Sequence, residues 1–133
     1  MFTLSGFADE ISADLDQQLD LLAQLGIRYL ELRGVWNTGV LDLTDEQVRD
    51  IKQALDARGI GVSAIGSPIG KIQITDPFEP HLRAFERAVA LAEYFQTPNI
   101  RMFSFFVPEG QADAHRDEVL RRIEALLEAA QGH

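Results

Sequence analysis

The residues best placed to do chemistry are Glu31, Arg33, Ser67 and Lys71, which all fall at or just beyond the end of an apolar, strand-like run. Glu31 lies in the run Ile-Arg-Tyr-Leu-Glu-Leu-Arg at 27–33. A carboxylate in such surroundings is costly to bury unless it is paired or coordinating. Alternation along a strand puts Ile27, Tyr29, Glu31 and Arg33 on one side and Arg28, Leu30 and Leu32 on the other. Glu31 is then either one half of an ion pair within the sheet or a polar contact to a substrate. Arg33 and Lys71 have the chemistry to hold a small phosphate or carboxylate, Arg33 through a bidentate fork and Lys71 as a point charge; the alternative for each is a solvated or helix-facing position. Ser67 sits in the loop Gly-Ser-Pro-Ile-Gly-Lys at 66–71. Its hydroxyl and the loop N–H groups either form a small anion nest or simply make a turn. These four are expected to converge on one mouth, together with Trp36 or Ser104.

The elements that must position them repeat one grammar of helix, turn and buried strand. The central instance is the strand at 61–65, preceded by Gly59 in the C′ position of a helix and closed by Gly66, Pro68 and Gly70. The first strand is read over 2–7, too apolar to face water along its whole length. A helix follows with Leu15, Leu19, Leu22 and Ala23 at helical spacing and Asp14 with Gln17 as a capping pair; it stops at Gly26. The strand at 27–33 leads into a longer connection containing Trp36, Asn37 and Gly39. A capping box at Thr44 and Gln47 then opens a helix carrying Val48, Ile51 and Leu55. A third helix presents Leu82, Phe85, Val89 and Ala92, and Thr97 with Pro98 ends it. A fourth strand is read over 99–106, and a last helix through Val119, Leu120, Ile123 and Leu127 is expected to be capped by Asp113.

Composition bounds the function. An apolar fraction of 46% and a charged fraction of 25% over 133 residues describe one modest globular domain. The absence of cysteine removes disulfides, zinc-thiolate sites and thiol nucleophiles, and points to the cytoplasm as the default compartment. No stretch approaches the roughly 18 apolar residues that a membrane helix needs. A net charge of −9 repels phosphate polymers and anionic lipids at long range, so neither nucleic acid nor a membrane is the expected partner.

Alternating βα units with nearly continuous apolar strands argue for a parallel sheet covered by helices. The first βα loop, Gly6 to Glu10, is acidic and has one glycine, which disfavours a doubly wound nucleotide-binding sheet. A (β/α)₈ barrel suits the unit but needs about 250 residues. The expectation is therefore a (β/α)₄ half-barrel, with residues 1–133 as a single partial domain. The set Ser-Gly-Phe-Ala-Asp-Glu-Ile at 5–11, Leu-Gly-Ile-Arg-Tyr-Leu-Glu-Leu-Arg at 25–33, the 66–71 loop and Phe-Ser-Phe-Phe at 103–106 resembles the sugar phosphate isomerase/epimerase group of xylose isomerase-like TIM barrels, as its N-terminal half.

That resemblance implies a barrel with its mouth at the carboxyl ends of the strands and a divalent metal held by Glu, Asp and His from the later strands, which have no counterpart here. No metal ligand is carried over, catalytic residues are left unassigned, and no cofactor is expected in this chain, although the full-length family member is expected to use a divalent metal. Within such a mouth Trp36 either stacks on a sugar face or serves as a lid or core residue. Ser104 is a further candidate contact. Phe103, Phe105 and Phe106 are expected to seal the barrel and helix layers, and Asp9 and Glu10 sit at the first strand's mouth or cap the first helix. His81, His115 and His133 all fall away from strand tips, unlike the metal-binding histidines of the related endonuclease IV group, whose positions here read Gly66 with Ser67 and Phe103 with Ser104.

Three functions stay open. The first is the front half of a metal-dependent sugar or sugar phosphate isomerase or epimerase, supplying barrel wall and substrate contacts and inactive as an isolated chain. The second is a non-catalytic half-barrel binding or assembly module, and the third a fragment of a lyase or dehydratase of the same barrel group. The partner expected for the sheet edges and the barrel-facing side chains, read as apolar, is a second copy, giving a homodimer, or a missing C-terminal half.

Overall fold

The structure is a computed structural model and describes residues 2–133. Three parallel strands form its centre, in the order β1 (Ser5–Gly6), β2 (Tyr29–Leu32) and β5 (Gly61–Ile65), and a separate antiparallel hairpin of β3 (Gly34–Val35) and β4 (Thr38–Gly39) rises after β2. The helices are α1 (Leu15–Gln24), α2 (Asp45–Arg58), α3 (Glu79–Phe95) and α4 (Ala112–Ala129), with short 3-10 turns at Ala8–Glu10 and Val40–Asp42. This is the α/β arrangement expected of part of a parallel barrel, with four helices following the strand segments.

Local chemistry explains where the helices begin and end. The Asp14 carboxylate accepts from the N–H of Gln17 to start α1, and Thr44 and Gln47 form the reciprocal capping box of α2. Gly59 stops α2 with a left-handed φ of 62°. The expected cap at Asp113 does not form. Helix α4 begins at Ala112 after Gln111, with no side-chain cap, and Asp113 sits in its first turn, where a carboxylate still favours the helix dipole.

Strand β2 alternates as its sequence dictates. Leu30 and Leu32 are fully buried in the layer shared with α1, α2, Val62 and Ile65. Tyr29 and Glu31 face the opposite, barrel-side surface. The register against β5 shifts between Leu30 and Glu31, pairing Leu30 with Val62 but Glu31 with Ala64. The extra residue, Ser63, turns its hydroxyl onto that of Ser5 at 2.6 Å. The barrel-side layer is thus polar where apolar residues were expected.

The two outer strands are shorter than the sequence suggests. Only Ser5 and Gly6 of 2–7 pair with β2, and Phe2 and Leu4 are 96% and 66% exposed rather than buried. At 99–106 the backbone runs beside β5 without a continuous ladder: Arg101 N–H donates to Ile65 O at 2.9 Å, then Phe103 N–H to Ile69 O at 2.7 Å and Phe106 N–H to Ile72 O at 2.9 Å. Its neighbour changes from strand to loop after Ile65, and Phe105 adopts a φ of 70°, so regular pairing cannot continue. The connection after β2 holds a hairpin that the sequence reading treated as irregular. Trp36 and Asn37, both left-handed at φ 53° and 57°, form its two-residue turn.

A second apolar cluster, with Ile69, Ile74, Phe85, Val89, Phe105 and Leu126, joins the 66–74 loop to α3 and α4. Among the described residues no helix is long and apolar enough to cross a membrane.

Candidate functional site

The carboxyl ends of β2 and β5 and the segment at 101–103 meet at one end of the sheet, where charged and aromatic side chains interleave. Arg33 leaves the end of β2 and is clamped by Asp9 and Glu10: its Nε lies 2.7 Å from Asp9 Oδ2 and its Nη2 3.0 Å from Glu10 Oε1. Hydrogen bonds to Asp9 first and Glu10 second hold its pKa above an already high ordinary value. The guanidinium also stacks 4.4 Å from the Phe7 ring centroid. Asp9 and Glu10 therefore bind an arginine of the mouth rather than capping the first helix.

Arg101 is the residue that ties the site together, and the sequence reading did not single it out. Its guanidinium lies between the rings of Phe7 and Phe103, at 5.1 and 5.2 Å from their centroids. Its Nη2 donates to Gly66 O at 3.0 Å. Its Nε sits 3.8 Å from Glu31 Oε1, too far for a hydrogen bond, and is buried without a partner. Glu31 and Arg101 are thus a loosely closed ion pair across the barrel-side face, each about a quarter exposed. An arginine two residues after Asn99 on a run read as a strand alternates onto the same side as Phe103; that spacing was the available signal.

The other expected residues are placed as follows. Lys71 is exposed, with Nζ 4.8 Å from the Phe103 ring centroid. Ser67 is fully buried; its hydroxyl donates to Arg101 O and accepts from Ile69 N–H, so it ties the loop to the 101 segment and presents no free donor. Trp36 packs half-buried against the core below the hairpin, and its backbone N–H donates to Ala13 O at 2.6 Å. Ser104 is exposed beside the mouth. Of the three phenylalanines, Phe105 is buried between α3 and α4, Phe103 lines the mouth, and Phe106 is half exposed beside the 72–74 segment rather than sealing a layer.

Arg33 divides two clefts. One, of about 210 Å³, is bounded by Arg33, Asp42, Gly66, Pro68, Lys71 and Arg101. The other, of about 300 Å³, lies between Asp9, Arg33 and the Asn37, Thr38 and Gly39 end of the hairpin. The cations Arg33, Lys71 and Arg101 stand among the carboxylates Asp9, Glu10, Glu31 and Asp42. Charge is balanced rather than basic, and the surface offers hydrogen bonds of both polarities beside aromatic rings.

A sequence profile described as xylose isomerase-like TIM barrel matches residues 19–133. The chain belongs to that family. Among solved structures this TIM-barrel chain is similar in fold to the xylose isomerase domain protein from Planctomyces limnophilus, with a TM-score of 0.61 and 19% identity. The match covers 97% of this chain and 50% of that one, so the chain spans about half the length of its structural relative. No curated protein matches it.

A divalent metal of the kind the family resemblance implies finds no fit here. Among the described residues no three His, Asp or Glu side chains are grouped to hold an ion. His81 is bound to Gly70 N–H, His115 lies by Gln111, and His133 by Glu93.

Proposed function

We propose that this chain is one wall of the mouth of a sugar isomerase or epimerase-like barrel, contributing substrate contacts and not turning over substrate by itself. The observation that carries this reading is the Glu31 and Arg101 pair. It lies on the barrel-side face at the strand carboxyl ends, the end where such barrels place their sites, and it is framed by Phe7 and Phe103.

A loosely closed pair with an unpartnered Arg101 Nε favours a ligand that both donates and accepts, as the hydroxyls of a sugar do. Phe7 and Phe103 provide flat apolar faces for its C–H groups. Balanced charge favours a neutral sugar body; Lys71, which has no ion-pair partner among the described residues, is the group placed to read a phosphate at the periphery. The wall binds and orients, while the metal and the proton-transferring groups of the family reaction would come from a complementary half. The lack of cysteine fits a cytoplasmic protein, and the acidic net charge fits a small-molecule rather than a nucleic-acid ligand.

A second reading, a non-catalytic assembly module, is favoured by the open outer edges at 2–4 and 99–103. The two are separated by incubating the purified chain with a panel of aldoses, ketoses and their phosphates in deuterated water, with and without manganese or magnesium. Proton NMR then reads both binding shifts and deuterium wash-in beside the carbonyl. The wall reading predicts millimolar-range shifts at Glu31, Arg33 and 101–103, no wash-in, and no stoichiometric metal uptake by calorimetry. Wash-in, or a sub-micromolar metal site, would contradict it, and an absence of any sugar-induced shift would favour the assembly module.

A further inference from the structure

The 66–71 loop carries Lys71 and packs on Phe103, yet the group that fixes it comes from α3. The N–H of Gly70 donates to Nε2 of His81 at 2.7 Å. Gly70 has a φ of 85° and lies so close to the Phe103 backbone that a Cβ there would fall 1.7 Å from the Phe103 carbonyl oxygen. The N–H of Phe103 closes the same contact by donating to Ile69 O at 2.7 Å. The His81 ring, accepting from Gly70, thus braces from α3 the point where the loop and the mouth's aromatic wall touch.

We propose that His81 is a positioning residue for the mouth: as a neutral imidazole it pins Gly70, and through it Lys71 and Phe103, and on protonation it releases them.

An imidazolium has no acceptor, so the charged form cannot keep the Gly70 hydrogen bond. Its surroundings oppose that form as well. The ring is half-buried between Phe78 and Phe105, with centroids 6.5 and 6.1 Å away. The same two aromatic rings carry the Arg122 guanidinium at 5.1 and 5.5 Å, and Arg122 is itself 5% exposed. Burial first, and the Arg122 charge second, lower the His81 pKa below its ordinary 6.5. The other charged groups on the packed elements are engaged elsewhere. Glu118 on α4 is bound by Arg121 and Arg122, Asp76 accepts from Gln73 N–H, Glu79 pairs with Arg83 on the helix of His81 itself, and Arg101 and Lys71 lie against Phe103. Among the described residues no carboxylate is left at the ring to favour its protonation.

The functional weight of this brace rests on the mouth being the binding site, but its test needs no ligand. Amide hydrogen exchange at Gly70, normalised to the intrinsic rate at each pH, is followed alongside the His81 ring signals from pH 7.5 to 4.5. The wild-type chain is expected to lose at least tenfold in Gly70 protection in step with His81 protonation, with Phe103 and Lys71 amide shifts moving on the same curve. His81→Gln, whose amide oxygen still accepts but does not titrate, is expected to keep Gly70 protected across that range. His81→Phe is expected to leave it unprotected throughout. Protection that is independent of pH while His81 titrates, or wild-type Gly70 protection in His81→Phe, would overturn the proposal and leave the sugar-binding reading untouched. Should His81→Phe fail to fold, the wild-type titration alone still decides.

Discussion

At the scale of single residues, the mouth depends on arginines whose partners are far away in sequence. Arg33 meets Asp9 and Glu10, and Arg101 meets Glu31 and Phe7. Away from the mouth, Arg122 is the strongest case: buried in α4, it gives Nε to Glu118 at 2.7 Å and Nη2 to Asp76 O at 2.8 Å. Hydrogen bonds from Arg121 and then Arg122 hold the Glu118 carboxyl well below its ordinary 4.5, at about 2. Because the folded-state value is the lower one, the stabilisation is complete above pH 4.5 and is lost as pH falls towards 2. With a third of the side chain exposed, screening limits it to about 1 kcal/mol. Urea melts of Glu118→Gln should therefore show a deficit of that size at pH 7 that vanishes near pH 2; a deficit constant across pH would contradict the assignment. The spacing of Glu118 to Arg121 and Arg122 is legible as i,i+3 and i,i+4 pairing on a helix, whereas the burial of Arg122 and its bond to Asp76 O, 46 residues away, are not, because the run Asp-Glu-Val-Leu-Arg-Arg at 117–122 reads as an ordinary solvated helix face. Glu31 was legible, because a carboxylate in an apolar strand must find a partner. Arg101 was hidden by the aromatic residues around it, which drew the reading towards packing.

At the scale of elements, the helices and the β2 alternation follow from capping and periodicity and were readable directly. The hairpin at Trp36 and Asn37 was not, since Asn37 favours the left-handed region but Trp36 does not, and no Asn-Gly or Asp-Gly pair marks the turn. The outer strands are shorter than their apolar character suggests, because Phe2, Leu4 and Phe106 are exposed rather than buried. The loop glycines carried more than punctuation. Gly70 and Gly110 both have positive φ, but a side chain at Gly70 meets the Phe103 backbone while one at Gly110 meets open space. Backbone strain alone costs an alanine about 1 kcal/mol or somewhat more, and forced displacement of a packed backbone adds roughly 1–3 kcal/mol. The strain is common to both sites, so Gly70→Ala should destabilise the chain by about 1–3 kcal/mol more than Gly110→Ala in urea unfolding. Equal losses would show that the contact between Gly70 and Phe103 relaxes freely.

For the whole molecule, the central claim is that the mouth is half a site. The fold matches half of a longer barrel protein, and its own sheet ends in two unpaired edges. Among the described residues one edge runs along β1 beside the exposed Phe2 and Leu4, and the other along the 99–103 segment beside the exposed Met102, while Phe106 is paired through its backbone to Ile72 and Ile74. Unpaired N–H and C=O groups next to apolar side chains invite a further strand. Covering a few hundred Å² at about 25 cal/mol per Å² supplies several kcal/mol against the entropy of association. The drive comes from these edges, since the barrel-side layer of Ser5, Glu31, Ser63 and Arg101 is polar. A second copy placed by a two-fold axis would set the first strand of each chain beside the 99–103 segment of the other and close an eight-segment ring around both mouths. Sedimentation equilibrium of the purified chain at tens of micromolar tests this most directly. The account predicts a dimer that Met102→Glu shifts towards monomer; a well-folded, cooperatively melting monomer that binds sugar at full occupancy would contradict it.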